Sequence, residues 1–231
     1  MTDETLPDQG SKGFLPESAR VADQLRDEII DGVRPPGGKL VERDIAEQLG
    51  VSRIPVRDAL RTLASEGLVT PRPRSWAVVR EFTADDIADL TEVRSAFEAL
   101  AFRLAALRAT NAGLERLREV LDIEWEAARA GDHVRARRAA ADFHERVTEL
   151  AGNDLMLELQ RTLRSRMRWL LVQHDDLLAM AQEHQGLYDA LAAGDVDTVN
   201  TLVADHLRSS LSRAGDRIPE GRQDNPAGTA D

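Results

Sequence analysis

Two groups of side chains in this chain have the type and spacing to do chemistry. The first lies in GVSRIPVRDAL, residues 50–60, where Ser52, Arg53 and Arg57 accompany an apolar set of Val51, Val56 and Leu60. Residues four apart share one edge of a helix. A guanidinium is always charged, and its planar fork of donors matches the two acceptors of a guanine edge or the oxygens of a phosphate. The front of a helix adds unpaired backbone N–H groups and a positive dipole end. An arginine pair at that end suits contact with DNA. The second group is histidine. Of His133, His144, His174, His184 and His206, three lie inside helical patterns on separate segments: His144 in DFHERV, His184 in QEHQGL and His206 in ADHLRS. Imidazoles converging from three helices can hold a divalent cation such as Zn²⁺. The chain has no cysteine, so any metal must be held by histidines and carboxylates. Spacing alone is a weak signal, since a lone histidine on a helix is more often a polar surface residue.

The arginines need a helix and something to hold it. Residues 1–13 are polar and read as a disordered tail. SARVADQLRDEIIDG then gives a first helix with Val21, Leu25 and Ile29 on one face, stopped at Gly32. VRPPGGKL reads as a loop. ERDIAEQLG is a short second helix ending at Gly50, and Ser52 can cap a third that runs to about Glu66. Pro55 falls in its first turn, where a missing N–H costs nothing. LVT and WAVV are strand-prone runs around a Pro- and Arg-rich tip that carries Arg72 and Arg74. Three helices followed by a hairpin, over residues 14–82, describe a winged helix-turn-helix. Its second helix-turn-helix element is the one suited to a major groove.

From Thr83 onward the texture becomes helical throughout. Six amphipathic stretches, roughly 84–109, 111–130, 132–151, 153–172, 176–193 and 195–214, form an all-α antiparallel bundle over residues 83–214. In the first of them Ile87, Leu90, Val93, Phe97, Leu100, Leu104 and Leu107 keep a helical period. Residues 215–231 are polar, with Pro and Gly, and read as a second disordered tail. The fold class is mainly α.

Composition narrows the function. Net charge is −11, which argues against a protein that coats nucleic acid. The segment from Arg53 to Arg80 nevertheless carries six basic and two acidic residues, the local imbalance of a small reading module. No signal-peptide pattern opens the chain and no apolar run reaches spanning length. The expected location is the cytoplasm, with no membrane partner.

LVERDIAEQLGVSRIPVRDALRTLASEGLV resembles the signature of the GntR family of bacterial transcription regulators. TEVRSAFE, DFHERVTELAGN, EHQGLYDALAAGD and the closing DHL resemble the all-α, FCD-type ligand-binding domain of that family's FadR-like branch. The resemblance implies a homodimer that binds a short palindromic DNA operator, with Arg43, Arg53 and Arg57 at DNA-contacting positions and Ser52 at a phosphate. It implies a small-molecule effector near Arg94, with a helix-break Asn at Asn153. An arginine at position 94 would grip a carboxylate through paired hydrogen bonds; an ion pair with Glu98 is its structural alternative. The resemblance also makes His144, His184 and His206 metal ligands, with an aspartate one turn before the first. Here that position is Ala140, and Asp142 lies about 200° around the helix. A three-histidine site of Zn²⁺ type remains consistent with the pattern. Two other readings stand beside it: a metal-independent regulator that binds an organic effector only, and, remotely, a metal-dependent hydrolase.

Overall fold

The computed structural model describes residues 16–73, 76–172 and 176–215. In chain order the elements are α1 (Glu17–Ile30), β1 (Lys39–Val41), α2 (Glu42–Leu49), α3 (Arg53–Ser65), β2 (Val69–Arg72), β3 (Trp76–Val79), α4 (Ala84–Arg108), α5 (Asn111–Ala130), α6 (His133–Leu150), α7 (Asp154–Leu171), α8 (Leu177–Ala193) and α9 (Val196–Gly215). A winged helix-turn-helix is thus followed by six helices, as the sequence pattern predicts.

In the N-terminal part α1, α2 and α3 close over one core of Leu25, Leu40, Ile45, Val56, Leu63 and Leu68. Gly50 ends α2 with φ +65°, a left-handed turn that glycine adopts without strain. That turn aims the start of α3 away from the core. The wing departs from expectation in one respect. The loop around Gly38 runs into a third strand, β1, which pairs antiparallel with β3 through Leu40 and Ala77, giving the order β1-β3-β2. Three residues are too few to show alternation, so only the pairing with β3 makes KLV a strand.

The helical part is built on the contacts of α5 with α6 and α8, and of α4 with α6 and α9. Phe102, Leu117, Leu121, Phe143, Leu187 and Leu191 form its core. The 25-residue α4 opens with a capping box: the Asp86 N–H donates to the Thr83 hydroxyl at 3.1 Å, and the Thr83 N–H donates to the Asp86 carboxylate at 3.0 Å. The Thr83 N–H, with Arg80 beside it, holds the Asp86 carboxyl below its ordinary value despite partial burial.

The apolar pattern of α4 faces inward only in part. Ile87 and Leu90 are buried and Phe97 and Leu104 pack on the core, but Val93, Leu100 and Leu107 are 48, 44 and 61 % exposed. The buried face also carries Thr91, Arg94, Glu98, Ala101, Phe102, Ala105 and Ala106. Small residues let the neighbouring helices approach, and the Arg94–Glu98 pair satisfies its own charge, so this face can be enclosed.

α7 touches both parts. Trp169 stacks on Phe82 at 4.0 Å between ring centres, and Val172 belongs to the core of the helix-turn-helix. Met167 and Leu170 pack with Ile87 and Leu90 at the root of α4. Replacing the cap, Thr83→Ala, is expected to lower the free energy of unfolding by about 1 kcal/mol. The reading is a lower urea midpoint at unchanged slope.

Candidate nucleic-acid interface and metal centre

Arg53 opens α3 and Arg57 lies one turn further on, with side chains 52 and 46 % exposed. Both reach back to one buried carboxylate that the sequence reading did not identify. Arg57 donates from Nε to Glu42 Oε1 at 3.0 Å and from Nη2 to Oε2 at 2.9 Å; Arg53 donates from Nη2 to Oε2 at 3.2 Å. Arg57, and then Arg53, hold the Glu42 carboxyl below its ordinary value although burial works against them. In return Glu42 raises the Arg57 guanidinium. The pair is therefore neither buried nor loose: it is tethered side by side at the helix tip. The available signal was the order Glu42-Arg43, which puts a carboxylate on the first turn of the preceding helix.

The other expected contacts fall around this tip. Arg43 is largely exposed and pairs with Asp44. Ser52 occupies the N-cap position of α3 but makes no side-chain capping bond, so the expected cap is corrected to an exposed hydroxyl. Arg72 is exposed at the end of β2 and, with Arg57, Arg61 and Trp76, lines a hollow of about 150 Å³ between α3 and the wing. Trp76 pairs with Val41 and carries Lys39 over its ring, a packing role. Arg74, with Ser75, lies outside the described residues.

The histidines converge. His144 from α6, His184 from α8 and His206 from α9 are 7, 0 and 4 % exposed. Their ring centres form a triangle with sides of 5.0, 5.0 and 5.2 Å. One ligand atom from each lies within 4.8 Å of the others. Phe143 stacks on His184 at 4.5 Å, and Phe102 meets His144 edge-on, so the rings are walled in. His184 Nδ1 faces Glu124 at 2.8 Å, while its Nε2 is buried without a hydrogen-bond partner. His206 Nδ1 faces Glu183 at 2.7 Å. Burial pushes the His206 imidazole below its ordinary pKa, which favours the neutral form a metal requires. The orphaned nitrogen and the converging ring nitrogens fit a divalent cation of zinc type. A buried alanine at position 140 supplies no ligand, and Asp142 is engaged elsewhere, with Arg168. His133 opens α6 and is exposed; His174 lies outside the described residues.

Arg94 stands beside this cluster, 3 % exposed. It donates to Glu98 Oε1 at 2.8 Å and to Ser210 Oγ at 2.9 Å, and its Nη2 lies 3.5 Å from His206 Nε2. The Glu98 ion pair and the position at the cluster therefore coexist. A narrow cavity of about 40 Å³ opens on the other side of His144, bounded by α4, α6 and α7 through Phe97, Glu98, Thr148, Arg164 and Met167. Asn153 is not part of it: its carboxamide oxygen caps α7 by accepting from the Met156 N–H at 3.2 Å. Glu145, at the cavity edge, is raised by burial but held below its ordinary value by Arg168 and Arg164.

The chain is similar to known proteins over nearly all of this architecture. Residues 17–79 match the family model described as bacterial regulatory proteins, gntR family, and residues 89–209 match the FCD domain. It is 32 % identical to the "Probable D-xylose utilization operon transcriptional repressor" of Paenarthrobacter nicotinovorans, covering 83 % of this chain and 87 % of the relative. It is 31 % identical to an Escherichia coli protein described as an L-lactate dehydrogenase operon regulatory protein, with 82 and 83 % covered. A solved transcriptional regulator from Rhodococcus sp. RHA1, described as GntR, superposes with a TM-score of 0.75 at 30 % identity, covering 87 % of this chain and 99 % of that one. Among the described residues no helix is long and apolar enough to cross a membrane.

If the histidine triangle holds an ion, Zn²⁺ at about a hundred times its dissociation constant is expected to stabilise the fold by roughly 2.7 kcal/mol. His184→Ala should abolish that gain. Differential scanning fluorimetry of metal-stripped protein, with and without Zn²⁺, checks both outcomes.

Proposed function

The chain belongs to the GntR family of bacterial transcription regulators, in the branch that joins this reading head to an FCD domain, and on that premise we propose that it binds a short palindromic operator as a homodimer under the control of a small metabolite. The observation that carries the DNA reading is the Arg53–Arg57 pair, tethered at the leading tip of α3 and still half exposed. On docking in a major groove, Arg53 and Arg57 turn from Glu42 toward base edges. Arg43, Ser52, Arg72 and Arg74 serve the flanking backbone. Support for a homodimer comes from Val93, Leu100 and Leu107, an exposed apolar line at seven-residue spacing along α4.

The control site is the bundle interior. His144, His184 and His206 would hold a divalent cation, which supplies a positive centre with open positions for an oxygen ligand. Arg94 offers a second positive group for a carboxylate-bearing effector, at the cost of rearranging its bond to Glu98. The cavity is small, about 40 Å³, and is walled by α4, α6 and α7. A metabolite too large for it would push α7 against α4 and α6.

That shift reaches the recognition helix directly. Glu66, the C-terminal cap of α3, accepts from Ser165 Oγ of α7 at 2.6 Å, and its backbone carbonyl accepts from Arg166 Nε at 3.0 Å. Arg26 of α1 grips the same carboxylate with two bonds of 2.8 and 2.6 Å. Gly67 follows with φ +79°, and a side chain there would collide with the Arg166 guanidinium. Arg138 of α6 adds an ion pair to Asp31 at the end of α1. An effector that favours one position of α7 thereby favours one position of α3, and its differential affinity sets the size of the response.

Selection from random duplexes is expected to return a palindrome. Arg53→Ala and Arg57→Ala should each weaken binding to it by roughly ten- to a hundredfold, read by gel-shift titration; unchanged affinity removes that arginine from the interface. A thermal-shift screen of small carboxylates, with and without Zn²⁺, should yield a stabilising compound. In Ser165→Ala the compound should still bind, but its effect on operator affinity should shrink, measured by fluorescence anisotropy of the labelled operator.

A further inference from the structure

Glu124 stands where a core residue is expected. α5 buries Leu117, Leu121 and Ala128 at spacings that continue through position 124, and the glutamate there is 0 % exposed. Its described partner is a single ring, with both carboxylate oxygens within 2.9 Å of His184 Nδ1. A buried carboxylate is strongly unfavourable unless an opposite charge and hydrogen bonds compensate it. A neutral imidazole gives the hydrogen bond and no charge. On the far side of the same ring, Nε2 is buried with nothing to bond to. The carboxylate and the orphaned nitrogen are two halves of one arrangement, open at the centre of the triangle.

The arrangement repeats on α9. His206 Nδ1 faces Glu183, the residue immediately before His184, at 2.7 Å, and Ser209 Oγ donates to that carboxylate at 2.8 Å. Glu98 lies 3.2 Å from His144 Nδ1, but its charge is already matched by Arg94. Glu124, fully enclosed, has an imidazole as its described partner and no described cation beside it. A dication at the centre of the triangle would supply the opposite charge.

We propose that Glu124 and Glu183 are the positioning residues of the histidine centre. Each accepts the Nδ1–H of its ring, fixes that tautomer, and turns the Nε2 lone pair inward. Together they place behind the rings the negative charge that Ala140 cannot place beside the ion. This rests on the reading that the triangle holds a divalent cation. The rival arrangement is a metal-free ion pair, with His184 protonated and facing Glu124.

The test uses the full chain, stripped of metal, with Zn²⁺ titrated against a fluorescent zinc chelator. Glu124→Gln keeps shape and removes charge. It is expected to weaken Zn²⁺ binding by about 10–100-fold, while the melting temperature of the metal-free protein does not fall. Glu183→Gln should weaken binding in the same direction. Held instead in a metal-free ion pair, the carboxylate when changed to an amide would lower the metal-free melting temperature and leave the Zn²⁺ affinity alone. Should Glu124→Gln prove unstable, Glu183→Gln, at the partly exposed edge, decides alone. If wild type takes no Zn²⁺, the metal reading fails and this inference falls with it. If wild type binds and both variants bind equally well, the positioning role alone is overturned.

Discussion

The grip on Glu66 is the contact on which the rest of the molecule depends. One residue, at the end of the recognition helix, is held by α1 through Arg26 and by α7 through Ser165 and Arg166. Without it the reading head and the bundle would meet mainly through the Phe82–Trp169 stack, the apolar packing around it and the Arg138–Asp31 ion pair. Stacked rings tolerate sliding, and a half-exposed ion pair is weak in water. A carboxylate fixed by three donors, over a glycine that a guanidinium covers, tolerates much less. The two ends of α3 thus have separate duties. Its front carries the arginines, and its back is fastened to the helix that borders the cavity.

The bundle solves a different problem, the enclosure of charge. Arg94, Glu98, Glu124 and three histidines lie inside a small helical domain. Each would be costly alone. They are tolerated because they are arranged as pairs and because aromatic rings fix their geometry. The same enclosure gives the centre its directional character. Phe143 and Phe102 leave the imidazoles little freedom to rotate, so ring orientation is decided by the folded chain.

Much of this could be read from sequence, for identifiable reasons. Helices α5 to α9 are set apart by strong stop signals, such as Gly131 and Gly194 in left-handed turns, and the expected limits lie within a residue or two of those observed. The three histidines were legible as candidates, since no cysteine competes and each falls in a clear helical period. Less legible was anything that depends on which face turns inward. The leucine pattern of α4 describes an outer line as readily as an inner one, and only packing chose the face with Arg94 and Glu98. Glu42, Glu124 and Glu183 were hard to read for a related reason. A glutamate reads as a solvated residue until its partner, far along the chain, is placed beside it. At Glu124 a trace existed, because the glutamate interrupts an apolar stripe.

The tether between Glu42 and the two arginines bears on how such a protein finds its target among a vast excess of unrelated sequence. A bare arginine gains from almost any phosphate it meets. Here each guanidinium already has an anionic neighbour, so exchanging that carboxylate for an arbitrary backbone oxygen gains little. Only a surface that satisfies both forks at once offers a better bargain. With −11 of net charge also opposing indiscriminate adhesion, the tether sets a threshold that a stray phosphate does not meet.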